Sequence, residues 1–176
     1  MENKNYFDEM EKKDSEIINA FNTQVHFFDK IYYNEKGSRI DAIAIDKKGR
    51  KVHAEIKQRT GKYGNFFEFI KSFNSIFLET GKLDAFSHTM NSGHTLQEKE
   101  ILISIFNNGD VILIHDLDKP QEMEWFPNSR IFNPGTKRWE FEHRVGLYWY
   151  NAIIFVKEDN KYIRKTKEEI QNILFS

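Results

Sequence analysis

The 176-residue chain has no cysteine, which excludes disulfides and thiolate metal sites and is compatible with a reducing compartment. It also lacks any stretch approaching the ~18 consecutive apolar residues of a membrane-spanning helix. The charged opening, MENKNYFDEMEKKD, has no apolar signal core, so the expected location is the cytoplasm and no membrane partner is expected. Neither sign of charge is in excess: the net charge is −1 and the pI about 6.6. A protein held to nucleic acid chiefly by phosphate neutralisation would be basic, so tight metal-free binding of that kind is not expected. An acidic site that takes phosphate through bound cations stays open. What the chain has in quantity is apolar and aromatic mass, 39% hydrophobic residues and sixteen Phe, which is enough for one packed core. A single domain over residues 1–176 is expected, with no internal repeat or low-complexity tract.

The chain is best read outward from Ser38–Arg59, SRIDAIAIDKKGRKVHAEIKQR. Ile40, Ala42, Ile43, Ala44 and Ile45 form a strand suited to burial on both faces, with Asp41 near its start. Asp46-Lys47-Lys48-Gly49-Arg50 is a hairpin turn, its lysines and arginine read as solvated, and the chain re-enters a strand at Lys51–Lys57. Strand alternation puts His53, Glu55 and Lys57 on one face and Val52, Ala54 and Ile56 on the other. The second face is core. The first sets an acid and a base two residues apart on a strand that otherwise reads as central, where neither is buried without a partner. Asp41 precedes Glu55 by fourteen positions, which lets both carboxylates converge beside Lys57. Two carboxylates suit Mg²⁺ (or Mn²⁺), an ion that keeps several waters and takes substrate phosphate oxygens. The chemistry expected is metal-dependent phosphodiester hydrolysis, with Lys57 orienting the nucleophile or stabilising the transition state.

Asp41 followed by Glu55-Ile56-Lys57, D-x13-E-x-K, resembles the signature of the PD-(D/E)XK nuclease superfamily, with Ile40 where the motif's proline would stand. The resemblance implies an α/β fold with a restriction-endonuclease-like core (αβββαβ), a mixed central sheet flanked by helices, over about residues 5–116. Residues 117–176 would form a C-terminal β-rich extension. It further implies that the backbone carbonyl of Ile56 completes the metal shell and that a carboxylate on the first helix assists. Glu16, 25 positions before Asp41, takes that place, and the spacing is most similar to archaeal Holliday junction resolvases. DNA is the substrate the resemblance implies, and a homodimer would bring two sites to a duplex. The alternative is a catalytically inactive protein of this fold that serves as a nucleic-acid-binding or assembly module.

Around this hairpin the chain reads as a helix over Asn5–Asn22, a strand over Val25–Tyr33 and an amphipathic helix over Asn65–Leu78 stopped at Gly81. Gln58, Arg59 and Lys62 leave the active strand where a substrate backbone would pass, and Gly61 and Gly64 mark a loop there. His26 and His53 are read as structural. His88 and His94 make a poor zinc pair without cysteine. Strands are expected at Ile101–Phe106, Val111–His115, Lys137–Val145 and Leu147–Val156, with a turn-rich stretch over Pro120–Pro134. Trp139, Phe141, Tyr148 and Tyr150 among Lys137, Arg138 and Arg144 fit either packing or a base-stacking surface, and packing is preferred. Thr166-Lys167-Glu168-Glu169 is a capping-box start for a terminal helix.

Overall fold

A computed structural model of the chain describes residues 2–34, 38, 40–81, 98–118, 123–133 and 138–175. The first helix, α1 (Glu2–Val25), runs unbroken through Asp14-Ser15, because the Ser15 hydroxyl donates back to the Lys12 carbonyl at 2.7 Å instead of ending the ladder. Its buried stripe is Ile18 and Phe21. His26 then turns the chain with φ at 51°, and the Asn22 side chain clamps both backbone groups of Phe28. The expected strand from Val25 therefore begins three residues later.

Three antiparallel strands follow, β1 (Phe28–Tyr33), β2 (Ala42–Asp46) and β3 (Lys51–Gln58). The β2–β3 turn is closed by Gly49 at φ 75° and by the Asp46 carboxylate, which accepts from the Lys48 and Arg50 amides and pairs with the Arg50 guanidinium. The next helix, α2 (Phe66–Ser72), is N-capped by the Asn65 side chain, which accepts from the Glu68 amide. It stops well short of Leu78. Phe73 is extended and Ser75–Glu79 is a strand, β4. The helix-like spacing of Ile76 and Phe77 is misleading because burial at Ile76 and Leu78 follows the two-residue period of a strand.

The remaining elements are β5 (Lys99–Phe106), β6 (Val111–Asp116), β7 (Met123–Asn133), β8 (Arg138–Tyr148), β9 (Ile153–Glu158), β10 (Lys161–Lys165) and α3 (Lys167–Phe175). The stretch expected to be turn-rich is thus mostly strand, its Pro127 and Asn128 accommodated in a bulge between Phe126 and Ser129. The strand expected over Leu147–Val156 is cut by a helical turn at Trp149–Asn151. The terminal helix opens with the expected capping box: the Glu169 amide donates to Thr166 Oγ1, and the Thr166 amide to the Glu169 carboxylate. Gly81 is not the stop of α2. His88, His94 and Pro134-Gly135 lie outside the described residues.

The fold is mixed α/β. Seven strands form one sheet in the order β1-β2-β3-β5-β6-β9-β10, antiparallel throughout except that β3 and β5 run parallel. A second sheet has the order β4-β8-β7. One apolar cluster joins α1 to Ala54, Ile56, Ile103 and Ile112 on one face of the large sheet. The other joins Leu102, Phe106 and Leu113 to α2, β4, β8 and α3. The C-terminal residues are therefore shared between both sheets. Among the described residues no helix is long and apolar enough to cross a membrane.

Candidate active site

The site is built where β2 falls short of β3. Ladder pairing begins with Ala42 opposite Ala54, so the Ile56 amide has no strand partner on that side. The carboxylate of Asp41, just ahead of β2, takes its place: Oδ2 accepts from the Ile56 N–H at 2.8 Å. Asp41 is itself strapped down, since the Asn34 amide donates to its carbonyl and the Asn34 side chain to the Ile40 carbonyl. A strand residue's N–H and C=O point to the same side, so the Ile56 carbonyl is directed to the edge that Asp41 occupies.

On the other face of β3, Glu55 is fully buried. Lys57 Nζ lies 3.2 Å from Glu55 Oε1 and 3.9 Å from Glu79 Oε1, and its side chain is partly open to solvent. Glu79 comes from β4, where the sheet register sets it opposite Arg144 of β8. The second sheet therefore supplies one wall of the site, a contribution that sequence spacing did not reveal.

The structure separates Asp14 from Glu16 on α1. Glu16 points into solvent, 65% exposed, with Lys12 at 3.9 Å as its partner. It is not at the site, because two helix residues lie about 200° apart and the helix buries the face that Asp14 shares. Asp14 stands four and seven residues before Ile18 and Phe21, on the buried stripe. Burial, then the negative charge of Asp41, push its carboxyl up to about 6, with Lys57 acting in the opposite sense. Its Oδ1 is buried and has no hydrogen-bond partner among the described residues. The phase of α1 is fixed by Tyr33, whose hydroxyl lies 3.1 Å from the Ser15 carbonyl and 3.0 Å from Asn19 Oδ1.

Of the three residues expected to meet a substrate backbone, Arg59 is not available. Its guanidinium is buried and donates to the Phe77 carbonyl at 2.8 Å. Burial and the nearby Arg144 charge push its pKa down to about 10. It ties β3 to β4. Gln58 is half-buried and Lys62 exposed, with its ammonium 4.7 Å from the Tyr63 ring. The loop between them is pinned: the Arg59 amide donates to the Ile105 carbonyl and the Asn107 amide to the Gly64 carbonyl. His53 is structural, buried and 2.9 Å from Glu98 at the far end of β3.

Asp14 Oδ1 is buried without a hydrogen-bond partner among the described residues, and its carboxyl feels the Asp41 charge, a pairing of carboxylate oxygens that fits a hard divalent cation. Among the described residues no three His, Cys, Asp or Glu side chains are grouped closely enough to hold a metal ion by themselves. Mg²⁺ does not require such a group, since it commonly binds through one or two carboxylates and completes its shell with water and phosphate. Comparison with known proteins gives no relative: no family model, curated protein or solved structure matches the chain.

Proposed function

We propose that the chain is a divalent-metal-dependent nuclease of the PD-(D/E)XK type acting on DNA. The observation that carries the reading is that Asp41, held on the Ile56 amide, and the buried Glu55–Lys57 pair flank the same short length of β3. The order of elements supports it: α1, β1, β2, β3, α2, then β5 parallel to β3, with β4 as an insertion diverted to the second sheet. With β4 set aside, that order is compatible with the helix, three strands, helix, strand sequence expected of a restriction-endonuclease-like core.

Asp41 and Glu55 would hold Mg²⁺ or Mn²⁺ with the Ile56 carbonyl, and Asp14 takes the place in this proposal that spacing had given to Glu16. The bound ion would polarise the phosphoryl oxygen and acidify a coordinated water. Lys57 offers an ammonium at the site mouth, aimed by Glu55 and Glu79, to stabilise charge on the phosphoryl group. Gln58 and Lys62 remain for contact with the sugar-phosphate backbone.

The test is cleavage of supercoiled, linear, single-stranded and four-way-junction DNA with Mg²⁺, Mn²⁺ or EDTA. Metal-dependent cutting that disappears in both Lys57→Ala and Asp41→Asn is the expected result. No cutting, or equal cutting by the variants, would overturn the enzyme reading and leave a binding module of the same fold.

A further inference from the structure

The β7–β8 hairpin is patterned inside out. Along β8, Val145 and Leu147 are buried against the second core, and the residues two, four and six before Val145 continue the same face outward. That face ought to turn polar where it leaves the core. Instead it carries Trp139, 57% exposed, and Phe141, 70% exposed, while Glu140, Glu142 and Arg144 on the reverse face are half-buried. The register sets Arg130 opposite Phe141, and Trp125, 70% exposed, opposite Val145, so both share the aromatic face. The Arg130 guanidinium lies over the Trp139 ring at 4.8 Å.

Charge is sorted in the same way. The carboxylates of the hairpin's described residues fall on the reverse face, where Glu142 pairs with Arg144, and Glu124 accepts from Ser75 and Tyr148. The aromatic face has Arg130 and His143 and no acid among its described residues. A surface of rings with a stacked guanidinium and no carboxylate complements unpaired bases joined by phosphates. Residues two apart on an antiparallel strand are about 6.8 Å apart, twice the ~3.4 Å stacking distance, so Trp139 and Phe141 are spaced to hold a base between them.

We propose that this face binds single-stranded nucleic acid, an assignment that rests on the nuclease reading for its partner. Arg144 and its cross-strand neighbour Glu79 lie on the reverse face of the same sheet, so the ring face is a binding surface separate from the Glu79–Lys57 contact.

The experiment is fluorescence anisotropy of a labelled 15-nucleotide oligo-dT and of a blunt duplex, in EDTA, with wild type, Trp139→Ala/Phe141→Ala and Trp139→Phe/Phe141→Tyr. The alanine pair, checked for folding by circular dichroism, is expected to weaken oligo-dT binding at least tenfold and the aromatic pair to restore it. Loss of oligo-dT binding only with the alanine pair, in a protein that cuts nothing, would keep this inference and overturn the nuclease reading. Unchanged binding by the alanine pair would overturn the inference. So would a wild-type dimer that the alanine pair converts to a monomer with oligo-dT binding intact, which would make the face a contact between two copies.

Discussion

Lys57 stands between two carboxylates, Glu55 at 3.2 Å and Glu79 at 3.9 Å, and its removal has two separable effects. Cleavage should fall by at least about a hundredfold in Lys57→Ala, as when one transition-state donor is lost. The variant should also melt earlier, because fully buried Glu55 loses its ammonium. Adding Glu55→Gln should recover the melting temperature and none of the activity, and thermal denaturation beside a cleavage assay separates the two. For Asp14 the signs oppose each other. Asp14→Asn removes a carboxylate crowded by burial and by Asp41, so the metal-free protein should gain up to about 1 kcal/mol, measured by urea unfolding at pH 8. The same variant should lose most of the Mg²⁺-induced rise in melting temperature. The hairpin that carries Asp41, Glu55 and Lys57 was legible in the sequence because two adjacent strands and a five-residue turn leave little freedom in register. Asp14 was hidden by reasoning from chain spacing where helix phase decides: an acid in line with Ile18 and Phe21 was the available signal.

At the scale of elements, the second sheet hangs on a close approach at Gly146. A Cβ there would lie 2.7 Å from the Ser75 Cβ and 2.8 Å from a Phe126 ring carbon, between the flanking strands β4 and β7. Gly146→Ala should therefore destabilise the protein by about 1–3 kcal/mol, in the manner of an overpacked core, and Gly146→Val by more. Chemical denaturation reads both. If β4 is displaced, Glu79 leaves Lys57, so cleavage should fall as well. This sheet was largely illegible. Ile76 and Phe77 extend the aromatic spacing of α2 and mask the start of β4, and Pro127-Asn128 reads as a turn until a partner strand absorbs it in a bulge. The first three strands and the terminal capping box were readable because local rules, alternation and side-chain-to-amide bonding, are enough to specify them.

For the whole molecule, two buried groups tilt stability against pH in opposite directions. Burial and then Asp118 push the Glu100 carboxyl up to about 7 from 4.5. A raised acid favours the fold fully below pH 4.5, and that contribution is lost as pH rises toward 7. Burial pushes His115 down to about 4, against the pull of its bond to the Tyr148 carbonyl. That contribution is complete above pH 6.5 and is lost as pH falls toward 4. Glu100→Gln should therefore flatten the decline in melting temperature between about pH 5 and 7 while leaving the acid-side fall intact. Division of the chain into core and extension is the expectation least suited to this architecture. Residues 1–116 lack Val145, Leu147, Trp149 and Ile154 of the second core, and β4 is left with no strand to pair. Expressed alone, that fragment should be unfolded or aggregated by circular dichroism and size-exclusion chromatography.

The pairing of Ser75–Glu79 with Arg144–Tyr148 also sets an order in time. Asp41, Glu55 and Lys57 leave the ribosome early, but Glu79 is seated beside Lys57 only after β8 has been synthesised and has docked. A growing chain thus carries Lys57 without its Glu79 neighbour until the late strands are in place.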